Sequence, residues 1–303
     1  ALDAASGLVH AAFAPGDRLQ GSAQAEYFRR GQGVPGPATT PAHTARFGAE
    51  RLVLAARARL GNGAAWPAIE WRANGARERS NLRDTAGELG YGRVDTHERF
   101  ADAGGSLELS SPARWRSLNL ESGAALRSET AHPAAPSMGL PDPGPSHRDT
   151  RAAWIGADLH AAGDRLLLHA ARRWDRQAEH VRDTRSTGAL RVRDAGRTLD
   201  APQLGARLRL GRGLEMKGNW SRAARAPEFD ELFGIDGSVT GDPTLLPEHA
   251  ENWDAGFAWA GNLGPLLVSA DWSHHATHAR DLVIYERSSP RGAHPDGPLR
   301  RGR

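Results

Sequence analysis

The feature of this sequence that most constrains its fold is a regular alternation between short turns and long polar connections. The short turns lie at residues 15–17, 61–63, 112–114, 162–164, 211–213 and 261–264. The long connections lie between them, at residues 31–44, 81–93, 130–149, 179–198 and 228–247, with another from residue 287 onward. With 35 glycines and 19 prolines, the chain favours many turns over long helices. We therefore expect a series of hairpins with two different kinds of connection.

The segments between these connections have strand length and carry a period of two. In residues 52–60, for example, Leu52, Leu54 and Leu60 share one face, whereas Arg57 and Arg59 share the other. Twelve strands are predicted, near residues 7–14, 18–30, 45–60, 65–79, 94–111, 115–129, 150–161, 164–178, 199–210, 214–227, 248–260 and 265–286. Short periplasmic turns and longer extracellular loops are typical of bacterial outer-membrane barrels. The pattern therefore predicts an all-β fold, an antiparallel transmembrane β-barrel.

The composition agrees with a barrel and excludes several other classes. Mean hydropathy is −0.56. No run of about eighteen apolar residues occurs, so we predict no transmembrane helix. A barrel strand needs apolar residues only at alternate positions, which keeps its average hydropathy low. The net charge is only +3 and is spread along the chain, so we expect no nucleic-acid partner. The lack of cysteine fits a periplasmic or outer-membrane protein without disulfides.

A soluble antiparallel sheet over a core would also show one apolar and one polar face. Two details favour the membrane barrel. The polar face is densely charged on many strands, as a water-filled lumen requires. Several tryptophans lie on apolar faces near strand ends, where an aromatic girdle would be: Trp220, Trp253, Trp259 and Trp272.

One predicted strand departs from the alternating pattern. Residues 166–168 are three consecutive leucines, and Arg172 shares the parity of Leu166 and Leu168. A charge on the apolar face predicts either that the segment leaves the membrane near Arg172 or that it contains a β-bulge.

One long stretch, residues 219–260, carries an ordered motif. Its first half reads S-R-A-A-R-A-P-E-F-D-E-L-F-G and its second half reads G-D-P-T-L-L-P-E-H-A-E-N. The motif residues are Arg222, Arg225, Ala226, Pro227, Glu231, Leu232, Phe233, Gly241, Asp242, Pro243, Leu245, Pro247, Glu248 and Asn252. The stretch resembles the late barrel region of TonB-dependent outer-membrane receptors. Asp242 stands where that family usually has Asn, and Leu246 where it often has Lys, and both departures fall in a loop.

The resemblance implies a 22-stranded barrel plugged by an N-terminal globular domain. We expect residues 1–303 to be a partial barrel, about twelve of those 22 strands, without the plug domain, the TonB-contact box and the C-terminal strands. No signal peptide is visible at the start of the chain, so we expect that it was removed or that the chain begins partway. Lipid cannot satisfy the backbone groups of unpaired edge strands, so we expect no stable transporter from the chain alone.

The resemblance also implies a function at the cell outer membrane. Such receptors take up a scarce ligand, such as an iron–siderophore complex, haem or cobalamin, and the implied partners are that small molecule, outer-membrane lipid and the TonB energy-transducing complex, reached through the plug domain. No enzymatic activity, cofactor or resident metal is implied, and no ligand-binding residue is assigned. We expect Arg222, Arg225 and Glu231 to form a network that pins a long loop to the wall, with Pro227 and Pro243 restricting that loop.

The chain has 13 histidines, and the tightest group is His274, His275 and His278. On a strand, His274 and His278 would share a face and His275 would not. A haem or metal contact is conceivable there. We interpret the group instead as polar lumen and rim residues.

Two alternative functions stay open at this stage. An outer-membrane β-barrel enzyme would need a nucleophile and a base at the rim of a closed barrel. The carboxylates Glu248, Glu251 and Asp254 could do acid–base work, but we interpret them as lumen polarity. A soluble β-rich binding protein would instead need a buried apolar core between sheets.

Overall fold

The structure is a computed structural model of the chain, and it consists almost entirely of one antiparallel β-sheet. The residues it describes are 2–36, 41–61, 67–90, 92–112, 117–133, 142–183, 190–235, 239–242 and 244–284. Twelve strands form the sheet, and each pairs with its neighbours in chain order. Within the described residues, the first and last strands each pair on one side only. The predicted fold class, a partial antiparallel barrel, is confirmed.

The strands of the large sheet agree in number and order with the twelve predicted from the sequence. They are β1 (Leu2–Gly16), β2 (Leu19–Gly33), β3 (Arg46–Leu60), β4 (Ala68–Asp84), β5 (Val94–Ser110), β6 (Leu118–His132), β7 (Ser146–Ala161), β8 (Leu166–Asp183), β9 (Arg191–Gly211), β10 (Leu214–Arg225), β13 (Glu248–Leu263) and β14 (Leu266–Arg280). The connection between β10 and β13 contains a short helix, α1 (Phe229–Phe233), and a small hairpin of β11 (Gly234–Ile235) and β12 (Val239–Thr240).

Side chains alternate between an inner face, which lines a cavity, and an outer face, as period-two geometry requires. The register shows how neighbouring strands match. Trp220 lies opposite Trp253 on the outer face of β10 and β13, whereas Asn219 lies opposite Asp254 on the inner face. Large apolar side chains on the outer face remain exposed, with Phe257 at 45%. The predicted alternation is therefore confirmed, and the core between two sheets that a soluble protein would need is not formed by the described residues.

The apolar part of the outer face has the height of a membrane. On β3 it extends from Leu52 to Leu60, which is close to the roughly 9–11 residues of a tilted membrane strand. The four tryptophans of the predicted girdle all lie on the outer face, and Trp272 is 54% exposed. Trp154, by contrast, lies on the inner face, where the Arg173 guanidinium lies 5.3 Å from the centre of its ring.

Of the two alternatives predicted for Arg172, the β-bulge is wrong, and the departure of the strand from the membrane stays a prediction. The pairing of β7 with β8 runs without interruption from Ala161 opposite Leu166 to His147 opposite His180. Arg172 stays on the outer face and donates from Nε and Nη2 to the two carboxylate oxygens of Asp200, over 2.8 and 3.0 Å. Because the charge is neutralised by the neighbouring strand β9, the strand keeps its register.

The strands are longer than their alternating patterns suggested. Residues 179–198 were predicted as a loop, but β8 extends to Asp183 and β9 begins at Arg191. Beyond the apolar band both faces are polar, so the period-two signal fades while the backbone ladder continues. The predicted turn residues 62–63 and 113–114, and the predicted loop from residue 287 onward, lie outside the described residues.

The short turns use left-handed backbone conformations. Between β9 and β10, Arg212 has φ 52° and Gly213 has φ 78°. Two successive positive φ values are typical of the tight turn that matches the twist of antiparallel strands. The turn after β7 does the same with Ala162, Gly163 and Asp164.

Candidate functional site at the long-loop rim

The inner face of the sheet lines a cavity of about 1220 Å³ that extends from the long-loop rim, at residues 224–230, to Arg72 and Glu108 near the short-turn ends of β4 and β5. Its wall comes from β3 to β10 and from the segment that contains α1. Charged side chains of both signs line it, among them Arg51, Arg72, Glu78, Glu98, Asp102, Glu108, Arg127, Glu129, Arg148, Arg173 and Asp175. The cavity is therefore polar and mixed in charge, as the sequence predicted for the lumen.

Arg225, at the end of β10, holds the rim together. Its Nε donates to Glu248 Oε2 over 2.7 Å, and its Nη1 and Nη2 donate to the two oxygens of Glu231 over 3.0 and 2.8 Å. Glu248 is the first residue of β13, and Glu231 belongs to α1. One guanidinium thus joins two strands of the wall to the helix of the connecting loop, using the planar fork that suits carboxylates.

The electrostatics of the three groups are consistent with an ionised cluster. A hydrogen bond from Arg225 lowers the pKa of Glu248 below its ordinary value. Burial partly opposes this effect, and a hydrogen bond from the Val283 N–H adds to it. Burial raises the pKa of Glu231, but hydrogen bonds from Arg225 and the Glu228 N–H outweigh it and the net pKa is lowered. The same two carboxylates raise the pKa of Arg225.

The helix α1 folds inward and forms the apolar core of the rim. Phe229, Leu232 and Phe233 are buried, Leu232 to 1% exposure. They cluster with Ala131 of β6 and Val181 of β8. The rings of Phe229 and Phe233 stack with their centres 5.8 Å apart. Among the described residues no helix is long and apolar enough to cross a membrane.

Arg148 of β7 anchors α1 from the opposite side. Its Nε donates to Glu179 Oε1 over 2.8 Å, its Nη2 donates to the Pro227 carbonyl over 2.6 Å, and its guanidinium lies 4.8 Å from the centre of the Phe229 ring. The side chains of Arg148 and Glu179 are 5% and 0% exposed. Sequence reasoning missed this residue because it lies in a stretch predicted as a solvated loop.

Further arginines of β9 surround Glu179. Arg197 Nη2 lies 2.9 Å from Glu179 Oε2, an ion pair without a well-aligned hydrogen bond. Arg193 Nη2 lies 3.8 Å from the same oxygen. Burial, together with the neighbouring arginines, lowers the pKa of Arg197, and Glu179 partly offsets this effect. The buried carboxylate of Glu179 therefore faces three guanidinium groups, those of Arg148, Arg193 and Arg197.

The structure brings together part of the predicted motif. Arg225, Glu231 and Glu248 meet as described, and Pro227 is fully buried beside them. Arg222 does not join them, because it lies on the outer face of β10, where its guanidinium is 5.3 Å from the Trp220 ring and 3.8 Å from Glu251. Arg222 and Arg225 are three positions apart in β10, so their side chains lie on opposite faces of the strand.

Residues of the second half of the motif hold the part of the loop that leads from α1 back to β13. The Asp242 N–H donates to the Glu231 carbonyl over 3.0 Å, and Asp242 Oδ1 accepts from the Thr244 N–H over 2.8 Å. Leu245 packs against the α1 core. Asn252 Oδ1 accepts from Thr277 of β14 over 2.8 Å. Among the other motif residues, Ala226, Gly241 and Pro247 are partly buried, and Leu232 and Phe233 belong to α1. Pro243 lies outside the described residues.

The other candidate clusters do not assemble. His274 and His278 lie opposite outer-face residues of β13, whereas His275 lies opposite Asp254 on the inner face. Among the described residues no group of three or more His, Cys, Asp or Glu side chains could hold a metal ion.

The three carboxylates also separate. Glu251 accepts a hydrogen bond from Trp220 Nε1 on the outer face over 2.8 Å. The interpretation of Glu251 as a polar residue of the lumen is therefore wrong. Glu251 is two positions from Trp253 in β13, so the sequence already indicated that both lie on the outer face. Asp254 lies on the inner face and accepts from Asn219 Nδ2 over 2.9 Å.

An antiparallel sheet with an apolar outer band, a charged inner face and a rim loop folded into the lumen defines the wall of an outer-membrane-type barrel. The chain belongs to the TonB-dependent receptor β-barrel family, since residues 7–274 match the family described as "TonB dependent receptor-like, beta-barrel". The resemblance seen in the sequence is thus confirmed. No curated protein sequence matches the chain.

Solved structures of receptors share the fold at low sequence identity. The copper transporter OprC superposes with a TM-score of 0.69 at 15% identity, over 93% of this chain and 46% of that one. The FrpB iron transporter from Neisseria meningitidis (F3-3 variant) gives 0.68 at 14%, over 93% and 45%. The ferric yersiniabactin uptake receptor FyuA from Yersinia pestis gives 0.67 at 12%, over 93% and 46%. The chain spans slightly less than half the length of these receptors.

Proposed function

We propose that residues 1–303 form a segment of the barrel wall of a TonB-dependent outer-membrane receptor that takes up a scarce ligand. An iron–siderophore complex, haem or cobalamin is the class of ligand we propose, and the chain itself carries out no enzymatic reaction. The observation that carries the proposal is the charged cavity on the inner face, covered at the long-loop rim by α1. A wall of this kind admits a polar ligand from the rim while its outer face contacts lipid.

The rim loop is held in a defined position at the mouth of the cavity. Arg225 fixes α1 to the wall through two carboxylates, and Arg148 fixes the same helix through the Pro227 carbonyl. Binding residues are often carried by loops that a rigid scaffold positions. The connection between β10 and β13 is such a loop, since its apolar core is packed and Glu228 and Asp230 line the cavity.

The remaining parts of the proposal follow from family membership. We place the long-loop end outside the cell and the short-turn end in the periplasm, as in other outer-membrane barrels. Energy for uptake would come from the TonB complex, which acts through a plug domain. The structural relatives named above carry copper, iron and ferric yersiniabactin in their names, and these ligands define the first panel to test here.

The enzyme alternative has no observation in its favour. The family and the structural neighbours are receptors and transporters. Of the three carboxylates considered for acid–base work, Glu251 lies on the outer face of β13, away from Glu248 and Asp254 on the inner face, and Glu248 is bound by Arg225.

The test is ligand uptake by cells that produce the full-length receptor. A strain that lacks its own receptors is given one labelled ligand at a time: ferric siderophores of several classes, haem, cobalamin and copper. We expect accumulation of one ligand class that is lost when either the receptor or TonB is removed. A receptor variant that lacks residues 228–246 should fold but lose uptake. Uptake that continues without TonB, or no uptake of any scarce ligand together with a measured hydrolytic activity, would overturn the proposal.

A further inference from the structure

Arginines surround Glu179 of β8 on the inner face of the sheet, at the long-loop end. Arg148 of β7 lies directly opposite Glu179 in the register. On β9, Arg193 and Arg197 share the inner face and flank Ala195, the residue opposite Glu179. We call Arg148, Arg193 and Arg197 the inner arginine group.

The group shares one buried carboxylate. Arg148 Nε donates to Glu179 Oε1 over 2.8 Å. Arg197 Nη2 and Arg193 Nη2 lie 2.9 and 3.8 Å from Glu179 Oε2, and that oxygen accepts no hydrogen bond from either. Glu129 of β6 approaches Arg148 to 3.9 Å, but it lies closer to an arginine of its own strand, at 3.3 Å. The charge of Glu179 is thus divided among three guanidinium groups.

Other acidic residues of β8 and β9 are engaged elsewhere. Asp194 lies on the outer face, where its Oδ1 is 2.7 Å from His180 Nδ1. Asp175 accepts hydrogen bonds from an arginine of its own strand. Asp183 lies opposite Arg191 at the end of the β8–β9 ladder. Among the described side chains, positive charge is therefore in excess around Glu179.

Four buried polar atoms in and beside the group have no hydrogen-bond partner within the described part of the chain. They are Nε and Nη2 of Arg193, Nη1 of Arg197 and Oε1 of Gln177, which lies opposite Arg197. Nε and Nη2 form the edge through which a guanidinium binds an oxyanion with two parallel hydrogen bonds. The Gln177 amide, turned over, offers donors in place of its acceptor.

Buried donors in proteins are satisfied by protein groups, by water or by an ion. An ion also neutralises the excess charge, and an uncompensated buried charge is costly. Arg193 is 33% exposed, so a solute can reach its free edge. Glu179, Arg193 and Arg197 do not line the large cavity, whereas Arg148 does. These positions favour a small inorganic anion over a large ligand that passes through the lumen.

We propose that Arg193 and Arg197 bind a small inorganic oxyanion of the phosphate class. The anion accepts from the Nε–Nη2 edge of Arg193 and from Nη1 of Arg197. It thereby neutralises two of the three arginines that share Glu179 and leaves this carboxylate to Arg148, which holds the Pro227 carbonyl above α1. The inference goes beyond uptake and is independent of which ligand passes through the lumen.

The test measures binding of radiolabelled inorganic phosphate to the full-length receptor in detergent, at constant ionic strength in chloride. The variant is Arg193→Gln with Arg197→Gln. Arg207→Gln is the matched control, since Arg207 lies on the same face of β9 and is 34% exposed, close to the 33% of Arg193. Glu179→Gln is a second variant. Heat-modifiable migration in gels shows whether each protein is folded.

The wild type should bind a single phosphate at this site. Hydrogen bonds to a charged group contribute about tenfold or more each to affinity, so the double variant should bind about a hundredfold more weakly. Arg207→Gln should bind as the wild type does. Glu179→Gln should bind phosphate more tightly, because a negative charge next to the anion is removed, and damaged packing would not produce such a gain.

Equal phosphate binding by the wild type and the folded double variant would overturn the proposal. An equal loss in Arg207→Gln, or weaker binding by folded Glu179→Gln, would do the same. If the double variant misfolds, Arg193→Gln alone should still lower the affinity by about tenfold or more.

Discussion

Arg225 Nε and Glu248 Oε2 are 2.7 Å apart, although 23 residues of sequence separate the two side chains. The contact joins the last residue of β10 to the first residue of β13, and it closes the base of the loop between them. The same guanidinium also binds Glu231 of α1. Arg225 therefore fixes both the base of the rim loop and its helix.

The first prediction concerns removal of that side chain. Arg225→Gln leaves Glu231 and Glu248 without their cation, so the loop should lose about 1–2 kcal/mol of local stability after allowance for solvent. Limited proteolysis within residues 226–247 should become about 5–30 times faster. Arg222→Gln is the matched control, because the contacts of that arginine, with Trp220 and Glu251, are exposed on the outer face and should leave the cleavage rate nearly unchanged. Equal rates in the wild type and Arg225→Gln would contradict this role.

The second prediction is a pH dependence of the rim. Glu231 and Glu248 have lowered pKa values in the folded state. Their contribution to stability is therefore complete above the ordinary value of 4.5, and it is lost as the pH falls below 4.5 through the lowered values. A spin label at Leu246→Cys, a position 51% exposed, should become mobile over that acidic range. In Arg225→Gln the label should already be mobile at neutral pH, and equal label mobility in the wild type and Arg225→Gln at neutral pH would contradict the mechanism.

The third prediction tests the apolar core of α1. Leu232 is 1% exposed, and truncation of a buried leucine to alanine costs about 2–5 kcal/mol. Leu232→Ala should release α1 from the lumen and raise hydrogen exchange of residues 229–233, while exchange in β3 and β4 stays unchanged. Leu246→Ala, in the same loop but exposed, should have little effect. Protection of α1 that survives Leu232→Ala would show that the polar contacts alone hold the helix.

Much of the fold could be predicted from the sequence because a membrane strand repeats a simple rule. The alternation of Leu52, Leu54 and Leu60 with Arg57 and Arg59 predicts which face of β3 is the apolar outer face, and the structure confirms it. The alternation of apolar and polar residues is lost outside the apolar band. Above the apolar band both faces are polar, so the upper parts of β8 and β9 were interpreted as loop.

The candidate site was only partly predictable. The motif indicated Arg225, Glu231 and Glu248, and the structure brings these three together. The motif alone does not distinguish Arg222 from Arg225. Their positions on β10 do, because they place the two side chains on opposite faces of the strand. Arg148 could not be found, because its importance comes from burial beneath a helix that is itself only five residues long and has no periodic pattern. Tertiary contacts of this kind leave no trace in a single sequence.

The fourth prediction concerns the turn between β9 and β10. Gly213 has φ 78°, and a Cβ added there would lie 1.7 Å from the Ala260 carbonyl oxygen. Gly213→Ala should therefore destabilise the hairpin by more than about 1 kcal/mol and lower the yield of folded barrel. Gly16→Ala is the matched control, since no atom lies within 4 Å of the added Cβ at this other short-turn position. Equal yields and equal melting temperatures for the two variants would contradict the geometry.

The central claim is that one face of the sheet meets lipid and the other lines a polar lumen. Because the chain has no cysteine, neighbouring alanines offer matched sites for single spin labels. Ala124 on β6 and Ala170 on β8 lie on the outer face, while Ala125 and Ala171 line inner cavities. We would measure collision rates with oxygen, which concentrates in lipid, and with a nickel chelate, which stays in water. Labels at residues 124 and 170 should favour oxygen, and labels at residues 125 and 171 should favour the chelate. Equal accessibility of adjacent positions to both reagents would contradict the membrane-barrel account.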